Sequence, residues 1–182
     1  MKTFRHLIIL VPILLMFSCD NEIPEEDVFD NPLDEEEVTY ETPALTFYPK
    51  EIETNAGGSF PVKVFVLGVE NMSGSYVRFS FDKARLQVVS VNVGSFFTDA
   101  EQAPVFISEV DGTNGLIDIN TSFLGSDSVS VSGTGSLAEI VFTALSAGNS
   151  TLSFDDDASE LVDKDDQPIE IKGFGEGLIN AQ

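Results

Sequence analysis

"GSLAEIVFTALSAG", residues 135–148, is the longest apolar run after residue 43. Its reading decides whether the chain carries a helix at all. Its length would suffice for one. Glycines bound it on both sides, however, and the segments around it repeat with a period of two, so it reads as a strand. "YVRFSFD", residues 76–82, shows that period most cleanly: Val77, Phe79 and Phe81 fall on one side, Tyr76, Arg78 and Ser80 on the other. "SFPVKVFVLG", residues 59–68, follows a Gly57-Gly58 turn and aligns Val62, Val64 and Val66. "RLQVVSVNVG" continues the pattern at 85–94. Residues 103–123, "APVFISEVDGTNGLIDINTSF", read as a hairpin about a Gly- and Asn-containing turn, with Ile117 and Ile119 opposing Asp118 and Asn120. "LTFYP" at 45–49 opens this region, and "STLSFD", "PIEIKG" and "EGLIN" close it. Short strands joined by turns, each with one apolar face, predict an all-β antiparallel sandwich or jelly roll over 44–182. With 15 Phe against 3 Tyr, most aromatic area is expected in the core.

The first residues have a different character. Lys2 and Arg5 precede "LIILVPILLMF", residues 7–17. That run is shorter than the roughly 20 residues of a membrane-spanning helix, and Pro12 weakens it further. This is the form of a secretory signal peptide over 1–18. "MFSC", residues 16–19, resembles a lipobox, with the small Ser18 before the cysteine, although Met16 and Phe17 are bulkier than the usual pattern. The resemblance implies cleavage before Cys19 and lipidation there. A lone thiol in an exported chain otherwise has no disulfide partner.

Composition excludes several functions. His6 lies in the segment expected to be removed, and the chain has no Trp and one Cys. Ser-His and Cys-His nucleophile pairs and His or Cys zinc sites are therefore absent from the mature sequence, and no cofactor is expected. Loss of Lys2 and Arg5 takes the formal charge from -22 to about -24. Such a chain repels phosphates, so nucleic acid is not an expected partner. Membrane contact is expected through the lipid alone. Residues 19–43 read as an acidic, disordered tether: positions 20–43 hold eleven acids, no Lys or Arg, and Pro24, Pro32 and Pro43. "CDNEIPEED", residues 19–27, also resembles an export signal that carries some lipoproteins to the outer cell surface.

The order of the strand-like pieces resembles the cohesin domain family. The stretches that carry the likeness are "GGSFPVKVFVLGVENMSG" (57–74), "VRFSFDKARLQVVSVNVGSFF" (77–97), "DGTNGLIDINTSF" (111–123), "SGTGSLAEIVFTALSAGNSTLSF" (132–154), and "LVDKDDQPIEI" (161–171) with "GEGLIN" (175–180). Each is weak alone; their order and spacing carry the resemblance, which spans essentially all of 44–182. It implies a nine-stranded antiparallel jelly-roll β-sandwich, with 57–74 holding the second strand and the loop that leads to the third. It implies no catalysis. It further implies docking of a dockerin or another protein module across the sheet of family strands 8, 3, 6 and 5. On that face would stand Tyr76, Arg78 and Ser80 of strand 3 and Asp118, Asn120 and Ser122 of strand 6. Type I cohesins carry an Asn and an Asp two residues apart on strand 3. Gly74 and Tyr76 occupy those places here, so the partner need not be a type I dockerin. No dockerin-like calcium repeat is present, and a single unit implies a monomer that anchors one partner at a time.

Weaker motifs have simpler readings. "DDDASELVDKDD", residues 155–166, clusters carboxylates but lacks the spacing and glycine of an EF-hand loop. It reads as a solvated acidic loop, and no metal site is assigned. Asp118 with Glu109 is a carboxylate pair of the kind used in glycoside hydrolysis, yet nothing builds a cleft around it. "SGTGS" (132–136) enters a strand rather than a helix, so it is read as a turn and not a phosphate loop. The alternative to a protein receptor is a surface carbohydrate-binding module on the same fold, associated with polysaccharide. Such modules stack sugars on Trp or Tyr; Tyr40 and Tyr48 lie at or near the tether.

Overall fold

The computed structural model describes residues 40–98, 100, 102–124 and 129–182. Cys19, the expected signal segment and the tether up to residue 39 lie outside the described residues. The strands are β1 (Ala44–Tyr48), β2 (Glu51–Thr54), β3 (Ser59–Ser80), β4 (Leu86–Val93), β5 (Val105–Asp111), β6 (Leu116–Ser122), β7 (Val131–Ala144), β8 (Gly148–Phe154), β9 (Glu160–Asp163), β10 (Pro168–Ile169), β11 (Gly173–Phe174) and β12 (Gly177–Ala181). The only helical turn among the described residues is a 3-10 turn at Ser95–Phe97. The 135–148 run is strand through Ala144.

The layers are two, and β3 belongs to both. Its first part pairs with β1 and β7, and β7 with β4. Its last part pairs with β6 on one side, and β6 with β5. On the other side it meets β9 over Met72–Tyr76 and β8 at Phe79 and Ser80. The expected loop between a second and a third strand is therefore replaced by one 22-residue strand with a corner in it. The corner is built from Gly68 and Asn71, both at positive φ (58° and 55°), with register shifts against β7 on either side of Val69. Strands that change sheets do so through such irregularities. Segments β8 and β9 both pair with the last part of β3, at Phe79–Ser80 and Met72–Tyr76. With the two-residue β10 and β11, they bring the segments to twelve where the jelly roll has nine.

"SGTGS" is a part of β7 and not a turn. It lies opposite the corner, where the ladder fails. The Thr134 hydroxyl accepts from the Gly68 amide (3.0 Å) and the Ser132 hydroxyl from the Asn71 amide (2.8 Å). The two hydroxyls thus stand in for the strand carbonyls that these amides lack at the corner.

The inner faces follow the alternation in the sequence. Val62, Val64 and Val66 from one layer meet Val77, Phe79, Ile117 and Ile119 from the other, all buried. Phe47, Phe79 and Phe154 tie β1, β3 and β8 together: Phe47 stacks on Phe154 at 4.2 Å and meets Phe79 edge-on at 5.2 Å. Every described phenylalanine is buried or packed on the core.

The domain begins earlier than residue 44. Residues 40–43, expected in the tether, already pack against it. On the outward side of β1 and β3, Ala44, Phe65 and Leu67 form a second apolar cluster covered by Tyr40 and Tyr48. The Pro43 carbonyl accepts from the Lys172 amide (2.7 Å). Strand β4 is irregular too: Val88 faces Phe142 and Ser90 faces Val141, which leaves Val89 bulged and 60% exposed.

Phe79 fills the junction of both layers with no exposure. Phe79→Ala is expected to cost about 3–5 kcal/mol in a denaturant melt, against under about 1 kcal/mol for Ser80→Ala on the exposed side of the same strand.

Candidate functional site: the β9–β3–β6–β5 face

Residues directly opposite in an antiparallel pair share a face. The register therefore sets three rows across this sheet. Val105, Ser122, Gly74 and Val162 make one; Ile107, Asn120, Tyr76 and Glu160 the next; Glu109, Asp118 and Arg78 the third. The structure brings Tyr76, Arg78, Ser80, Asp118, Asn120 and Ser122 onto one outward surface, with Ser75, Val77, Phe79, Ile117, Ile119 and Thr121 buried behind them.

One carboxylate organises the centre. Asp118 accepts two hydrogen bonds from Arg78, from Nε at 2.6 Å and Nη2 at 3.0 Å, and a third from the Tyr76 hydroxyl at 2.8 Å. The guanidinium carbon also lies 5.7 Å from the centroid of the Tyr76 ring, within cation–π range. Hydrogen bonding from Arg78 holds Asp118 below its ordinary 3.8, against the opposing effect of burial. Burial, then the hydrogen bond to Asp118, pushes the Tyr76 phenol above its ordinary 10.0. Asp118 raises Arg78 in turn. The tyrosine ring is thus fixed before any partner arrives.

This arrangement is poor for hydrolysis. Glu109 lies beside Asp118 in register, but Asp118 is committed to a bidentate arginine and the surface is a sheet face rather than a cleft. Two carboxylates of the acidic 155–166 segment are engaged by nearby backbone amides. Asp155 accepts from the Ala158 amide, and Asp163 from the amides of Asp165 and Gln167. Among the described residues no group of three acids, His or Cys is placed to hold a metal ion.

Sequence reasoning missed the apolar part of the face. Ile107 is 61% and Val105 40% exposed, both on β5. Strand β5 opens with three apolar residues in a row, so only the observed register shows that Val105 and Ile107 face out while Phe106 packs inward. A shallow depression of about 170 Å³ lies between Tyr76 and Val162, floored by Gly74. Its signal was the glycine itself.

The cohesin domain family model matches residues 46–180. The chain belongs to the cohesin domain family, whose members are non-catalytic modules of protein–protein interaction. Its fold is shared by solved relatives. The non-cellulosomal cohesin of the archaeon Archaeoglobus fulgidus is 19% identical, with a TM-score of 0.62 over 76% of this chain and 90% of that one. CaCohA2 of Clostridium acetobutylicum is 23% identical, with a TM-score of 0.64 over 79% and 93%. The sixth cohesin of Acetivibrio cellulolyticus scaffoldin B, solved in complex with a Cel5 dockerin mutant, is 18% identical, with a TM-score of 0.63 over 76% and 98%. No curated protein matches the chain.

Because the pKa of Asp118 is lowered on folding, its contribution to stability is complete above the ordinary carboxylate value and is lost as pH falls through the lower folded value. Asp118→Asn is therefore expected to destabilise the domain at neutral pH and to make its acid limb, below about pH 3.8, shallower than wild type. Thermal melts across that range check both.

Proposed function

We propose that the chain is a lipid-anchored receptor that docks a dockerin-type module on the β9–β3–β6–β5 face. The observation that carries this is the outward row Ile107–Asn120–Tyr76. It combines an exposed aliphatic group, an amide that donates and accepts, and a tyrosine ring already held in place. Docking surfaces concentrate their energy in such anchors, and a fixed ring loses little freedom on binding. The dockerin complex of the scaffoldin B cohesin supports the partner class. Sugar stacking finds less support: Tyr76 is clamped by Asp118 and Arg78, while Tyr40 and Tyr48 cover the outer cluster of the other layer.

The anchor in this reading is lipid on Cys19, followed by the acidic segment that holds the domain away from the membrane, in the outer membrane with the domain at the cell surface. A polysaccharide-degrading assembly is the setting. Cys19→Ser is expected to shift the protein from the membrane to the soluble fraction with an unchanged melt. Retention of the serine variant in membranes at high salt would refute the anchor.

The docking test is calorimetric titration of the full chain with a panel of calcium-loaded recombinant dockerin modules. At least one is expected to bind, and Tyr76→Ala to weaken it by about 1–3 kcal/mol. Ile107→Asp is expected to cost at least as much, with little change in the melt. A panel without a binder, or a binder indifferent to both variants, would sink the proposal.

A further inference from the structure

The depression floored by Gly74 is an unfilled place in an otherwise continuous face. Its upper wall is the Tyr76 ring, held by Asp118. Val162 lies opposite Gly74 and Glu160 opposite Tyr76, so both side chains stand on the outward face beside it. Ser75, Asn120, Thr121 and Ser122 complete the lining. The space of about 170 Å³ has room for more than one water, the scale of one extended side chain.

The chemistry of the walls is divided. Val162, the bare Gly74 backbone and the tyrosine ring offer a short apolar track; Glu160 offers a carboxylate at its end. Glu160 is exposed and joins no ion pair among the described residues. The nearby cation on this face, Arg78, is already spent on Asp118 through two hydrogen bonds. Glu160 therefore keeps its charge for a partner, on a chain whose net charge is -22. A side chain with an apolar stem and a cationic tip fits both halves of this lining.

We infer that the depression seats one lysine or arginine side chain of the docked module, its stem over Gly74 between Tyr76 and Val162 and its charged tip on Glu160. This rests on the docking face proposed above and specifies what the partner must present. Gly74 matters because a Cβ there would sit 3.0 Å from Val162 Cγ2 and 3.3 Å from the Thr121 carbonyl oxygen, inside the space the stem needs.

The probe is the tightest dockerin of the panel, titrated against the full chain at low and high salt. Glu160→Gln is expected to weaken binding about tenfold and to reduce its salt dependence. Glu160→Lys is expected to abolish binding, and reversal of one Lys or Arg of the dockerin to Glu to restore it. Gly74→Ala is expected to weaken binding; the melt identifies any loss due to folding, and the Glu160 variants stand independently of it. If Glu160→Gln binds like wild type while Ile107→Asp still disrupts, the depression is not the seat of a cation and the docking face survives. If no Lys or Arg reversal rescues Glu160→Lys, the seat falls likewise. If no dockerin binds, both readings fall together.

Discussion

The passage of β3 from one layer to the other is the constraint on which the rest depends. A single strand of 22 residues supplies the centre of both sheets. The same backbone fixes Val62, Val64 and Val66 in one layer and Val77 and Phe79 in the other, so the inner faces are set by one chain and not by the meeting of two. The cost is local. At Gly68 and Asn71 the ladder breaks, and two hydroxyls from β7 receive the amides that lose their strand partners. Polar residues in the middle of an otherwise apolar strand are thus a structural requirement.

The outward surface inherits its order from that strand. Tyr76 and Arg78 are two residues apart on β3 and both reach the carboxylate of Asp118 on β6. Neither long side chain is left to sample rotamers in solvent. A face arranged this way gives up less entropy on association than a surface of free side chains. The balance of the face is also clear: its central charges are mutually satisfied, whereas the charges at its margins, Glu109 and Glu160, join no ion pair among the described residues. In the docking proposed above, specificity resides at the margins and in the aliphatic pair on β5.

Much of this was legible in the sequence because a period of two leaves no freedom once one residue is placed. Val77 and Phe79 inward dictate Tyr76 and Arg78 outward, and Ile117 and Ile119 do the same for Asp118 and Asn120. The family likeness then set these strands side by side. What escaped was what alternation does not encode. The continuity of β3 through Gly68 and Asn71 looked like a loop, since glycine and asparagine at positive φ mark turns more often than corners inside strands. Ser132 and Thr134 looked like turn residues for the same reason, because the amides they receive lie more than sixty positions earlier. Ile107 was hidden by ambiguity: Val105, Phe106 and Ile107 are all apolar, and register alone decides which of them meets water. Tyr40 was read with the acidic segment around it, although its ring covers Phe65 and Leu67.

The bulge at Val89 has a consequence for how copies of this chain treat one another. Among the described residues strand β4 pairs only with β7, so its far side there offers unpaired amides and carbonyls next to two exposed valines, Val89 and Val93. A straight strand of that composition is a template on which a second copy adds its own edge and a third follows. The extra residue breaks the spacing of those groups and twists the strand, so an incoming edge cannot stay in register along it. The irregularity thereby discourages open-ended growth into stacked sheets at this margin of the fold.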